Sequence, residues 1–115
     1  MNTTIEKKVL VIGAGLAGSE AANFLASKGQ KVVLVECKGI KKGPAQSISS
    51  FGELVCTNSL KSMDPNSAHG LLKYEMNHFD SIILEAGKKH AVPAGSALAV
   101  DRVSFSKEVT SQLTL

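Results

Sequence analysis

Three observations predict an α/β, Rossmann-like dinucleotide-binding fold. The run Val9-Leu10-Val11-Ile12 leads directly into Gly13-Ala14-Gly15-Leu16-Ala17-Gly18, a G-x-G-x-x-G sequence. An alanine-rich helical pattern follows at once. A second apolar run, Val32-Val33-Leu34-Val35, then ends on the acid Glu36. Strand, glycine turn, helix and a second strand closed by a carboxylate are the parts of a βαβ unit that holds a dinucleotide across its first turn. A glycine-rich turn with no ligand is the alternative reading of the same residues.

Strand one spans Lys8 to Ile12. Both of its faces are apolar, as in a parallel strand covered by helices on both sides. Gly13 makes the tight turn, Gly15 lacks a Cβ that would hold phosphates away, and Gly18 lets the helix lie close to the strand. Ala22, four residues on, extends that close approach along the same face. The helix continues to Lys28, with Gly29 as its C′ stop. Strand two spans Lys31 to Glu36. Glu36 lies 21 residues after Gly15, where a carboxylate accepts the ribose hydroxyls of an adenosine; a 2′-phosphate there would meet like charge.

Cys37 to Gly52 reads as a long loop whose Lys38, Lys41 and Lys42 either stand in solvent or approach a phosphate. Glu53 to Leu60 has no clear secondary structure. Within it Cys56 is either a small buried residue or a reactive thiol, and spacing identifies no base beside it. Asp64-Pro65-Asn66-Ser67 opens a helix. Leu72, Met76, Phe79, Ile83 and Ala86 recur at steps of four, three, four and three, one apolar face of a single long helix. Lys73, Glu75, Asn77, Asp80 and Glu85 fall mostly off that face. Gly70 argues for a later start, because glycine inside a helix costs about 1 kcal/mol relative to alanine. Gly87, with Lys88 and Lys89, marks the end.

Ala91 to Val100 is small and apolar, broken by Pro93 and Gly95, so its backbone can lie close to a flat ligand. Asp101 is the N-cap of the last helix, on which Phe105, Val109 and Leu113 repeat every four residues. Arg102, at the entry of that helix, either reaches a phosphate or forms a surface ion pair.

Composition excludes several classes. The chain has 115 residues, enough for one small domain, and its 43% apolar content is that of a folded protein. Four Phe, one Tyr and no Trp make a poor stacking platform for single-stranded nucleic acid, and a net charge of +3 is too mild for a nucleic-acid footprint. No DNA partner is expected. The polar N-terminus, Met1 to Lys8, and the short apolar run after it exclude a secretory core or a membrane span there. Cys37 and Cys56 do not make a disulfide framework, which points to a cytoplasmic, reducing setting. His69, His78 and His90 lack metal-ligand spacing and read as surface residues, so no metal site is expected. Only two strands are legible, and such a sheet needs a third strand or a covering layer. The sequence therefore reads as the N-terminal piece of a longer protein, or as a chain that a second chain completes.

Three blocks carry a resemblance. Gly13-Ala14-Gly15-Leu16-Ala17-Gly18-Ser19-Glu20-Ala21-Ala22 is shared in outline by many flavoproteins. Glu53-Leu54-Val55-Cys56-Thr57-Asn58-Ser59-Leu60 and Val92-Pro93-Ala94-Gly95-Ser96-Ala97-Leu98-Ala99-Val100-Asp101-Arg102 are far more specific. In this order they resemble the N-terminal region of the folate- and FAD-dependent tRNA uracil-5-methyltransferases.

The resemblance implies an incomplete Rossmann-like FAD/NAD(P)-binding domain over residues 1–115, the first βαβ unit plus following helices, with the remaining domains absent. It implies FAD as cofactor, methylenetetrahydrofolate and NAD(P)H as co-substrates of the complete enzyme, and 5-methyluridine in the T-loop of tRNA as product. tRNA would be bound through parts missing here, and this chain alone would be inactive. Gly13, Ala14, Gly15, Leu16, Ala17 and Gly18 would bind the FAD pyrophosphate and Glu36 the adenosine ribose. Cys56 matches a cysteine of the family's own block, near the flavin or the methyl-transfer chemistry, and Arg102 would help shape the flavin pocket. A ribosomal RNA methyltransferase relative and a non-catalytic flavin-binding remnant are the alternatives.

Overall fold

The computed structural model describes residues 5–114; residues 1–4, where the polar N-terminus begins, and Leu115 lie outside the described residues. β1 (Val9–Ile12) and β2 (Val32–Val35) pair in parallel, Val9 opposite Val32 and Ile12 opposite Val35, and α1 (Leu16–Ser27) connects them. Branched side chains favour this extended backbone. The ladder runs one bond further at each end, from the Val9 amide to the Lys31 carbonyl and from the Gly13 amide to the Val35 carbonyl. Lys28 caps α1 and Gly29 follows with φ +80°, the left-handed stop that glycine supplies.

The expectation of two covered faces is corrected. α1 packs on the side to which Val11 points, so that Val9, Val11, Val32 and Leu34 are half-buried. On the other face Leu10 and Ile12 are 59% and 79% exposed, with Val33 and Val35 beside them. The radius of gyration is 15.8 Å, above the roughly 13 Å of a close-packed domain of this length.

Three further strands correct the count of two. β3 (Ser59–Ser62), β4 (Ala91–Val92) and β5 (Ala97–Val100) form an antiparallel sheet in the order β3-β5-β4. Ser59 pairs with Ala99 and Ser62 with Ala97, so β3 carries one extra residue, a bulge at which Lys61 takes φ +69°. α3 (Ile82–Lys89) packs on this sheet and α4 (Arg102–Leu113) packs on α3. The core is here, in Leu54, Ile82, Ile83, Leu84, Leu98, Val100, Phe105 and Val109.

The single long helix is also corrected. α2 (Ala68–Met76) ends in a 3₁₀ turn over Asn77–Phe79, and Asp80 takes φ +52°. Aspartate tolerates that conformation better than most residues. Ser81 then opens α3, its hydroxyl accepting from the Leu84 amide at 3.1 Å. The break turns the face that the periodicity draws: Ile83 and Ala86 are buried, whereas Leu72 and Phe79 are exposed. α2 starts before Gly70, not after it, with Ser67 capping the Gly70 amide at 3.0 Å. Glycine is required at that position, because a Cβ there would lie 1.7 Å from the Asp64 carbonyl oxygen. Gly87 is not a stop either; it lies inside α3, where a Cβ would meet Leu60 at 2.8 Å.

Charged side chains fix the connection between the sheets and the contact of α1 with α3. Lys38 is not a solvated loop lysine: its ammonium donates to Glu53 Oε2 at 2.7 Å and to the Ser50 carbonyl at 2.8 Å, and the two side chains are 3% and 5% exposed. Glu20 on α1 accepts from the Ser81 hydroxyl at 2.7 Å and from the Ile82 and Ile83 amides, both at 3.2 Å. That places a carboxylate on the N-terminus of α3, where the helix dipole favours it. Burial works to raise the Glu53 pKa; the Lys38 ammonium, the Ser47 amide and hydroxyl and the Ile48 amide outweigh it and bring the pKa down to about 2.

Two outcomes follow. Gly18→Ala puts a methyl group 1.8 Å from the Gly13 carbonyl oxygen and should cost about 3 kcal/mol by overpacking, read as a lower urea midpoint. Glu53→Gln leaves the Lys38 ammonium buried beside a neutral partner and should cost about 3 kcal/mol at neutral pH. Because the folded-state pKa of Glu53 lies below the unfolded one, its stabilisation is whole above about pH 4.5 and is lost as pH falls toward 2. Thermal unfolding across that window should therefore show a shallower acid loss in the variant than in the parent.

Candidate functional site

The glycine turn forms because β1 must reverse into α1 within three residues. Gly13 takes φ +97°, and Ala14, only 1% exposed, follows it. The Ala14 amide donates to Glu36 Oε2 at 2.8 Å. Its carbonyl accepts from the Gly52 amide at 2.8 Å and from the Ser19 hydroxyl at 3.2 Å. Gly15 caps α1 with φ −73°, which any residue can adopt, and a Cβ there would meet nothing within 4 Å. Neither backbone nor packing asks for glycine at this position. The space a side chain would fill lies open at the start of α1.

That helix start has no side-chain cap and no acid in its first turn. The amides of Leu16, Ala17 and Gly18 therefore present unsatisfied donors at the positive end of the helix dipole. Such an end accepts an anion. Open space at Gly15, free amides and the absence of competing negative charge in the first turn together fit a pyrophosphate.

Glu36 stands beside this turn. Besides the Ala14 amide it accepts from the Cys37 amide at 2.7 Å and the Lys38 amide at 3.1 Å, both on Oε1. The Ala14 amide is the largest influence on its pKa, which is lowered; partial burial opposes it, and the Lys38 and Cys37 amides add to it. The carboxylate is thus held ionised at the end of β2, with lone pairs left to accept ribose hydroxyls.

Cys56 is exposed, as is Cys37. It lies on a short span held at both ends. Arg102 Nη1 donates to the Leu54 carbonyl at 3.3 Å, and the Asn58 carbonyl accepts from the Val100 amide at 2.8 Å. Arg102 sits at the first position of α4, behind Asp101, whose carboxylate caps the Ser104 amide at 2.8 Å as the sequence predicts. The expected surface ion pair of Arg102 is not formed among the described residues; a backbone carbonyl takes its place. The segment 47–54 joins the two halves of the site, with Gly52 on the glycine turn and Leu54 under Arg102.

Several residues escape sequence reasoning. Lys38 and Glu53 look like loop charges, and only their distance in the chain, with opposite sign, hints at a pair. Lys73 lies buried, its ammonium on the Ser62 and His69 carbonyls at 2.9 and 3.1 Å, and burial lowers its pKa. His69 and His78 are exposed as expected, but His90 is half-buried against Glu108, with Nε2 3.3 Å from Oε2. Among the described residues no group of three or more His, Cys, Asp or Glu side chains is placed to hold a metal ion. No helix of the described residues is long and apolar enough to cross a membrane.

Comparison with known proteins agrees with this geometry. The methylenetetrahydrofolate–tRNA-(uracil-5-)-methyltransferase TrmFO of Acholeplasma laidlawii is 58% identical over 105 residues, 91% of this chain and 25% of the relative. The protein of the same name from Ligilactobacillus salivarius is 59% identical over 105 residues, 91% of this chain and 24% of the relative. That from Prochlorococcus marinus strain MIT 9301 is 56% identical over 110 residues, 96% of this chain and 23% of the relative. The chain thus spans about a quarter of the length of these relatives. Residues 8–115 match the family model described as glucose inhibited division protein A, and the chain accordingly belongs to that family, with its FAD-binding, Rossmann-like fold.

Proposed function

We propose that this chain is the FAD-binding N-terminal segment of a methylenetetrahydrofolate-dependent tRNA uracil-5-methyltransferase that forms 5-methyluridine in the T-loop. Gly15 is the observation that carries the reading: a glycine that neither backbone nor packing requires, facing open space at an uncapped helix N-terminus. Gly13 through Gly18 hold the pyrophosphate, Leu16 and Ala17 by their amides, and Glu36 takes the adenosine ribose. Its negative charge favours an unphosphorylated 2′-hydroxyl. The relatives' names supply the substrates, methylenetetrahydrofolate and tRNA.

The flavin, when bound, supplies the electrons that reduce the transferred one-carbon unit, with NAD(P)H as their source. The chain's own residues position it. The adenosine half lies across the glycine turn. The ring end lies toward Cys56 and the Pro93 to Val100 segment, with Arg102 beside it. Folate and tRNA contacts come from further polypeptide, of the kind that makes up three-quarters of the relatives. That polypeptide, as a continuation or a second chain, also covers Leu10, Ile12, Val33 and Val35.

Gly15→Val tests the reading. In the chain joined to the further segments that its relatives carry, the variant should lose its yellow flavin absorbance while its unfolding midpoint stays within about 0.5 kcal/mol of the parent. Full flavin retention would remove the pyrophosphate from this turn.

A further inference from the structure

Lys38 does not stand in solvent, and its ammonium is not free for a phosphate. It is buried and bonded to Glu53 Oε2 at 2.7 Å and to the Ser50 carbonyl at 2.8 Å. Its amide donates to Glu36 Oε1 at 3.1 Å. One residue thus holds the acid at the end of β2 with its backbone and a distant segment with its side chain.

That distant segment is itself anchored. The Phe51 amide donates to Thr110 Oγ1 at 2.7 Å and the Phe51 carbonyl accepts from the Ser106 hydroxyl, both on α4. The Gly52 amide donates to the Ala14 carbonyl at 2.8 Å, and the Ala14 amide donates to Glu36 Oε2 at 2.8 Å. These bonds close a circuit that runs from Ala14 to Glu36, to Lys38, to Ser50 and Glu53, and through Gly52 back to Ala14. Among the described residues, the two bonds of the Lys38 ammonium are the only hydrogen bonds between residues 36–38 and residues 50–53.

The circuit decides which oxygen of Glu36 keeps acceptor capacity. A carboxylate has about four lone-pair sites. The Cys37 and Lys38 amides fill those of Oε1, and the Ala14 amide takes one of Oε2. The acceptor left for a hydroxyl is therefore on Oε2, the oxygen tied to the glycine turn. Without the ammonium anchor the Lys38 amide is free to leave Oε1, and the carboxylate can turn about its last torsion. A site that must order its acceptor on binding gives up affinity that a fixed acceptor keeps. A lysine that reached a phosphate would instead strengthen every diphosphate alike, whatever its sugar.

We propose that Lys38 is a positioning residue for the adenosine ribose of the cofactor: its anchored ammonium holds its amide on Glu36, and so leaves Oε2 as the fixed acceptor for a ribose hydroxyl. Glu53 and Ser50 are the anchor. The inference rests on the reading that Glu36 takes the ribose.

The test uses flavin-free protein, the chain joined to the further segments that its relatives carry, titrated in a calorimeter with ADP, 2′-deoxy-ADP and 3′-deoxy-ADP. The parent should prefer ADP over at least one deoxy analogue by about tenfold, as for one hydrogen bond to a charged acceptor. Lys38→Met should cut that preference to about twofold or less, by weakening ADP and leaving the deoxy analogue nearly unchanged. Because this variant buries the Glu53 carboxylate without its cation, Lys38→Met is also combined with Glu53→Gln. The double variant carries neither charge, and its carboxamide oxygen can still accept from Ser47 and Ile48. Its urea midpoint should recover toward that of the parent while the preference stays lost. A preference that returns with the midpoint makes Lys38 a stabilising residue alone and overturns the proposal, as does full preference in Lys38→Met. Glu36→Ala separates the two readings. If it keeps the preference for ADP, or if the parent has none, the ribose reading of Glu36 fails and this inference with it. If Glu36→Ala loses the preference and both Lys38 variants keep it, the ribose reading stands and the positioning role of Lys38 falls.

Discussion

The peptide unit of Ala14 is the junction on which the rest of the structure depends. Its amide is tied to the end of β2 through Glu36, and its carbonyl to Gly52 and to Ser19 of α1. Three segments meet at this one buried residue, each through a backbone or side-chain hydrogen bond. Buried peptide groups must be paired, so moving any one of the three removes a bond from it, and an unsatisfied donor or acceptor there costs roughly 1 to 3 kcal/mol. Gly18 closes the same junction from the helix side, since only a missing Cβ lets α1 sit against the Gly13 carbonyl. The helix N-terminus is therefore aimed by a network, and the adjacent Gly15 is left as the open member of the turn.

The two halves of the molecule are joined by charged groups as well as by apolar contacts such as Leu16 of α1 against the core. Lys38 with Glu53 closes the connection between β2 and β3, and Glu20 of α1 crosses to the start of α3. Buried ion pairs add little net stability against a well-packed apolar alternative, but breaking one is costly. Their effect is to fix geometry: each has one arrangement that satisfies it. The apolar core, by contrast, lies almost wholly on the α3, β5 and α4 side. The βαβ unit contributes only Ala14 and Ala22 to the buried apolar residues described, and its sheet keeps one apolar face open.

The legible parts of this fold were those written in local patterns. β1, the turn, α1 and β2 came from an unbroken apolar run, three glycines and a repeat, and the structure places them within one or two residues of expectation. Asp101 and the Phe105, Val109, Leu113 face were legible for the same reason. The second sheet was not. β3 reads Ser-Leu-Lys-Ser and β4 has two residues, so neither has enough side-chain area to signal a strand, and their stability comes from pairing with β5. The continuous helix failed at Asp80, because the periodicity of Leu72, Met76 and Phe79 runs into that of Ile83 and Ala86 in register, while Ser81 carries a cap that periodicity does not see. Glycines misled twice. Gly70 and Gly87 look like breakers, but each serves a close contact inside a helix. At the site, Glu36 and Arg102 were visible by position. The tethers that bring Arg102 to the Cys56 span are backbone carbonyls, which no side-chain pattern announces.

Those tethers bear on what Cys56 can do. The span is held at Leu54 and at Asn58, so its path is set by Arg102 and by the sheet edge, not by the cysteine. Among the described residues the thiol has no hydrogen-bond partner, and no histidine or carboxylate is bonded to it. A nucleophilic thiol needs a base or a neighbouring positive charge to form the thiolate. Here the span supplies neither a triad partner nor a helix N-terminus; it supplies position and exposure. No side chain bonded to the Cys56 thiol among the described residues supplies that activation. At the glycine turn the Ala14 peptide group is paired on both sides, whereas the uncapped amides at the start of α1 are left open to an anion.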